Sequence, residues 1–164
     1  MNDFTQFVDL AAERLGGRVI SANDEFFGPK EALVKQPKPI FVERFTDRGH
    51  WMDGWETRRR RTPGYDWCIV KLGLPGIIHG VMVDTAYFTG NYPEHCEIEA
   101  CAVDGDPSFS QLEDSATQWR SLFPKSQLTG DSRNLFQLAP SDRDRSTVRR
   151  GPALEDHARS PAPA

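Results

Sequence analysis

Hydrophobic residues along this chain fall in short runs separated by turn residues. Arg18-Val-Ile-Ser21 is brief and β-like, and Ile40-Phe-Val42 follows the rigid connector Gln36-Pro-Lys-Pro39. Tyr65 to Leu72 reads as a buried strand behind the Pro63-Gly64 turn, with Trp67, Ile69 and Lys71 on one side. Ile77 to Asp84 is β-rich again. Cys96 to Val103 alternates, which turns Cys96, Ile98 and Ala100 inward and Glu97 and Glu99 toward water. Leu135 to Leu138 is the last convincing strand. Clusters of Gly, Pro, Asn and Asp punctuate these runs at 73–76, 90–93, 104–107 and 130–134. Residues 111–123 are polar, with a late Trp119. Helical spacing is confined to Asp9–Leu15, with Asp9 as N-cap and Gly16-Gly17 as stop. Many short strands and so few helical signals predict an all-β antiparallel sandwich or jelly roll with a short N-terminal helix. From Ser141 to Ala164 periodicity and large apolar side chains vanish, so 1–140 is expected to be the domain and 141–164 a disordered tail.

The 164 residues allow one domain with a sizeable core plus a tail. Mean hydropathy is −0.57, and no apolar run approaches the roughly 18 residues that would cross a membrane. The N-terminus lacks the basic start and apolar block of a secretory signal. A formal charge of −4 argues against general nucleic-acid affinity, although Arg58 to Arg61 form a local basic run. Three cysteines, Cys68, Cys96 and Cys101, are an odd number without a signal, which favours reduced structural thiols and a cytoplasmic protein.

The chemistry concentrates in Thr46–Trp67, TDRGHWMDGWETRRRRTPGYDW. Trp51, Trp55 and Trp67 stand there among acids and four consecutive arginines. A core strand does not carry such charge, and a solvated loop rarely carries such aromatics. The mixture fits a segment packed on one side and facing a polar pocket on the other, a site for a small anion. Upstream, Asp24 or Glu25 either points into that site or belongs to a turn anchored by Phe26-Phe27.

The stretches LGGRVISANDEFFGPKE, FTDRGHWMDGWETRRRR, GYDWCIVKLGLPG, VDTAYFTGNYPE and LTGDSRNLF occur in order from Leu15 to Phe136. Together they resemble allantoicase (allantoate amidinohydrolase), first repeat. The resemblance implies a jelly-roll β-sandwich of the galactose-binding-like kind. It also implies hydrolysis of allantoate to ureidoglycolate and urea in purine catabolism. Members of that family carry two such repeats and assemble into oligomers, so a homo-oligomer or a second repeat is the expected partner. The Arg/Pro/Ala-rich tail stands where the family repeat continues with a hydrophobic strand. A noncatalytic jelly-roll binding module, or a structural subunit needing a second repeat, is the alternative.

Such a substrate presents a carboxylate and two ureido groups. Arginine binds a carboxylate bidentately, which makes Arg58 and Arg59 the leading members of the run; in an extended segment Arg58 and Arg60 share a face opposite Arg59 and Arg61. Expelling urea needs an acid and adding water needs a base. Asp53 and Glu56 beside two indoles could divide these roles, Glu56 as general acid/base and Asp53 as its partner. The structural alternative is that Asp53 holds the Gly54 turn and Glu56 pairs with an arginine. Glu25, Asp84, Thr89 and Asn91 are expected to line the pocket, with Asp84 alternatively holding its loop. No firm metal motif is present, though His50, Asp53 and Glu56 offer N and O ligands to an ion such as Mn²⁺. His95 is a further proton carrier by residue type, whereas His79, inside an apolar strand, is expected to be packed.

Overall fold

A computed structural model describes residues 3–143 and the strand 152–159. The strands are β1 (Arg18–Ala22), β2 (Phe45–Thr46), β3 (Gly49–His50), β4 (Asp66–Lys71), β5 (Gly80–Asp84), β6 (His95–Ala102), β7 (Arg120–Gln127), β8 (Arg133–Gln137) and β9 (Pro152–Arg159), with short helices α1 (Phe109–Glu113) and α2 (Pro140–Arg143). One sheet has the order β1-β4-β9-β6-β7; β5 and β8 form a second ribbon, and β2 and β3 a small hairpin. Every paired neighbour is antiparallel, so the chain is all-β.

The loose alternation of β4 has a structural cause. Cys68, Ile69 and Val70 are all buried because both faces of the strand are covered. Cys68 and Val70 pack with Val19 and Val34, against which Trp55 lies. Ile69 faces the other way, with Cys101, Leu112 and the Trp67 side chain. In β6 the alternation is cleaner, and Cys96, Ile98 and Ala100 are buried as expected. Cys96, Ile98 and Leu128 meet Val81, Val83 and Phe136 of the ribbon, which seals the two sheets together. Each such aliphatic side chain contributes roughly 1.5–3 kcal/mol on burial.

Several expectations change. The N-terminal helix is absent; Phe4–Gln6 and Glu13–Leu15 are single 3-10 turns. The Asp9 carboxylate accepts the Ala11 N–H at 3.0 Å, and Gly16 turns left-handed at φ 92°. So short a segment does not repay helix nucleation, and the aspartate satisfies the backbone locally. Ile40–Val42 is not in a ladder, while Arg120–Gln127 is one despite Pro124. β7 lies at the sheet edge, where a missing N–H is tolerated, and its register against β6 is irregular.

Two elements fall at or beyond Pro140. Pro140–Arg143 is helical, and Pro152–Arg159 runs between β4 and β6. Leu154 is aligned with Val70 on one side and Ala100 on the other. Main-chain pairing to two strand edges is available to any sequence, which explains why composition alone missed it. The remaining tail, 144–151 and 160–164, lies outside the described residues.

Candidate functional site

The site is assembled around Glu56. The Asp24 to Pro29 segment runs beside it, and Gly28 and Glu56 form an isolated antiparallel bridge. The N–H groups of Phe27 and Gly28 donate to the Glu56 carbonyl at 3.1 and 3.0 Å. Backbone leaves no room for a side chain at Gly28, and the Phe88 ring crowds Gly54. A Cβ on Gly28 would lie 2.2 Å from the Gly54 carbonyl, and one on Gly54 would lie 2.7 Å from the Phe88 ring. Close backbone approach thus fixes Glu56 without help from its side chain.

Its carboxylate has a different partner. Asn91 Nδ2 donates to Glu56 Oε1 at 2.8 Å. Burial pushes the Glu56 pKa above its ordinary value, while the Asn91 hydrogen bond and the nearby His50 pull the other way. His50 is itself oriented by rings: it stacks on Phe41 at 5.7 Å and meets the edge of Phe45 at 5.1 Å. Phe41 also touches Tyr87, at 5.7 Å. Tyr87 adopts φ 69°, and its N–H donates to the Asp131 carboxylate at 2.8 Å. A bulky residue held in the left-handed region stores strain of order 1–3 kcal/mol, a feature that concentrates at binding sites.

Asp53 is turned elsewhere. Its Oδ2 accepts the Ile40 N–H at 3.0 Å, so it fastens the 38–42 segment rather than hydrogen-bonding with Glu56. His50, Asp53 and Glu56 therefore do not gather as ligands, and no group of three His, Cys, Asp or Glu among the described residues could hold a metal ion. His95 sits beside Glu94, Nδ1 to Oε2 at 3.7 Å. His79 is packed against Phe7, ring centroids 4.4 Å apart, as expected, although it lies just before β5 and not within a strand.

The arginine run divides by partner. Arg58 Nε donates to Asp24 Oδ2 at 2.7 Å, and Arg60 Nη2 donates to the buried Asp66 at 3.0 Å. Arg59 is exposed and makes no hydrogen bond or ion pair among the described residues. Burial works to raise the Asp24 pKa, but hydrogen bonds from Arg58 and the Phe26 N–H outweigh it and hold the carboxyl below its usual value. Trp55 completes this corner, its indole N–H donating to the Asp24 carbonyl at 2.8 Å. Trp67 does not belong to the pocket wall; it stacks on Phe109 at 5.5 Å.

Of the remaining lining residues, only Asn91 touches Glu56. Glu25 accepts from the Lys30 backbone at 2.8 Å and forms an ion pair with its ammonium group, which makes it a loop clasp. Asp84 accepts the Ala86 N–H at 2.9 Å and approaches Arg133 at 3.5 Å. It also lines a shallow cleft of about 260 Å³ with Lys38, Tyr87, Asp131 and Arg133. Thr89 is exposed, and its hydroxyl has no hydrogen bond among the described residues. Sequence reasoning missed Phe26, Phe41, Arg48 and Tyr87. The Phe26-Phe27 pair and the placement of Arg48 next to Gly49-His50-Trp51 were the available signals.

Comparison with known proteins bears on the family of the chain. The family model described as the allantoicase repeat matches residues 8–150. A probable allantoicase 1 of Burkholderia mallei is 47% identical over 138 residues, covering 82% of this chain and 39% of that protein. An allantoicase of Dictyostelium discoideum is 42% identical over 134 residues, covering 81% and 36%. The crystal structure of an allantoicase from Saccharomyces cerevisiae superposes with a TM-score of 0.72 at 32% identity, over 93% of this chain and 44% of that one. The chain thus spans 36–39% of the length of these two curated relatives. With the family model matching residues 8–150, most of this chain, and the relatives sharing that name, this chain belongs to the allantoicase family.

Proposed function

We propose that this repeat hydrolyses allantoate to ureidoglycolate and urea in purine catabolism, as a jelly-roll of galactose-binding type working in the cytoplasm. The observation that carries the reading is the half-buried Glu56, with its raised pKa, hydrogen-bonded to Asn91 in a chain of this family. A carboxyl whose pKa burial raises above the ordinary value is a better-placed proton donor, and it can protonate the departing ureido nitrogen as the C–N bond breaks. The resulting carboxylate then takes a proton from water as the hydroxyl adds to the same carbon. The Asn91 amide is suited to hydrogen-bond a ureido group, and the arginine run supplies the charge for the carboxylate, with Arg58 its anchored member.

The acting unit on this reading is larger than one repeat, either several copies of this chain or this chain with a second repeat. One observation favours the alternative of a structural subunit: Asp53 is hydrogen-bonded to the Ile40 N–H instead of standing by as a second carboxylate. Urea release from allantoate separates the readings. It should be measured on the purified chain, alone and mixed with a separately expressed second repeat. Glu56→Gln is expected to reduce release by orders of magnitude with the fold intact. Near-normal turnover in that variant removes Glu56 from the chemistry, and no release in either preparation favours the structural subunit.

A further inference from the structure

Two guanidinium groups meet one phenyl ring next to the Glu56 bridge. Arg48 occupies the turn of the β2–β3 hairpin, where the Thr46 hydroxyl accepts its backbone N–H at 3.1 Å. Its Nη1 donates to the Phe26 carbonyl at 2.7 Å, and its guanidinium carbon lies 4.9 Å from the centre of the Phe26 ring. Arg58 reaches the same ring at 5.3 Å while its Nε is held by Asp24. The ring is fixed in turn: the Phe26 N–H donates to Asp24 Oδ1 at 2.8 Å, and the next two residues bond to the Glu56 carbonyl. The hairpin, the Asp24–Gly28 segment and the Glu56–Arg58 segment thus share one aromatic platform.

The charge balance is uneven. Asp24 is the one carboxylate hydrogen-bonded to either arginine among the described residues, and it engages only Arg58. Arg48 Nε and Nη2 and both terminal nitrogens of Arg58 have no hydrogen bond among the described residues. Two cations gathered around one phenyl ring repel each other unless an anion joins them, and each gains only about 0.5–1 kcal/mol from the ring at an exposed site. A carboxylate accepting from both would relieve the repulsion and match the planar donors.

We propose that Arg48 and Arg58, laid together on Phe26, receive the carboxylate of the substrate, with Phe26 as the positioning residue that sets their spacing. This assignment rests on the allantoate reading above, replaces Arg59 by Arg48 as the partner of Arg58, and orients the substrate with its ureido groups toward Glu56 and Asn91.

The test is calorimetric binding of allantoate and of its neutral primary amide to the wild type, Arg48→Gln, Arg58→Gln and Phe26→Leu, beside urea release by each and by Glu56→Gln. Loss of one charged hydrogen-bonding group should weaken allantoate binding by roughly tenfold or more and leave the amide nearly unaffected. Phe26→Leu should raise KM for allantoate while kcat and the melting temperature stay close to wild type; a merely structural role would lower the melting temperature and treat both ligands alike. Equal allantoate affinity in wild type and Arg48→Gln, or no allantoate binding by the wild type, overturns the receptor whatever urea release shows. Binding that is lost in Arg48→Gln while no preparation releases urea upholds the receptor and sinks the hydrolytic reading.

Discussion

Asn91 Nδ2 donates to Glu56 Oε1 at 2.8 Å, joining a loop after β5 to the segment after the β2–β3 hairpin. This bond stabilises the ionised carboxylate, whereas burial opposes ionisation. Asn91→Leu keeps the volume and removes the donor, so the Glu56 pKa should rise further. If Glu56 acts as the acid, the alkaline limb of the activity profile moves to higher pH, which a pH series of urea release will read.

The same burial has a stability consequence with a definite sign. The unfolded Glu56 carboxyl titrates near its ordinary 4.5, and the folded one titrates higher. Stability from this group therefore falls as pH rises from the unfolded toward the folded pKa, then levels off, because ionising it in place costs more than ionising it in water. Glu56→Gln should gain stability relative to wild type at pH 7 compared with pH 4, as measured by paired thermal melts.

Gly28 is the tightest backbone contact in the site. An added Cβ would meet the Gly54 carbonyl at 2.2 Å and the Glu56 N–H nitrogen at 3.0 Å. Backbone atoms cannot swing aside as a side chain can. Gly28→Ala should cost about 1–3 kcal/mol in urea denaturation and lower turnover by displacing Glu56.

Asp66 is a buried anchor under the arginine run. It accepts from Asn23 at 2.7 Å, from Thr57 at 2.9 Å and from Arg60 at 3.0 Å. Its neighbour Arg60 also has a buried Nε without a hydrogen-bond partner among the described residues, so this carboxylate is its principal compensation. Asp66→Asn should destabilise the fold by roughly 2–3 kcal/mol in chemical denaturation, since it removes the charge from that hydrogen bond.

Alternation along β6 and the apolar run of β4 were legible because burial of a strand follows a period of two, or none when both faces are covered. The turns were legible for a similar local reason, as glycine and proline set backbone angles by themselves. Both signals gave the all-β class, and the ordered motifs gave the family. The same locality explains why Asp9–Leu15 misled. Its spacing suits a helix, but nothing packs it into one, and the chain settles for a 3-10 turn.

What the residues do for one another was decided only in three dimensions. Asp53 and Glu56 are three apart in the chain, yet one accepts from Ile40 and the other from Asn91. Arg58 and Arg60 are two apart and face Asp24 and Asp66. Glu25, nominally a pocket acid, is taken by Lys30, while the unremarked Arg48 reaches Phe26. Each of these partnerships depends on how loops are brought together by strand register and sheet packing. A local hydrophobic pattern states which side of a strand is buried, but not which distant loop lies above it. Composition likewise shows that the tail lacks a core-forming pattern, and only the open edges of β4 and β6 account for a strand at Pro152–Arg159.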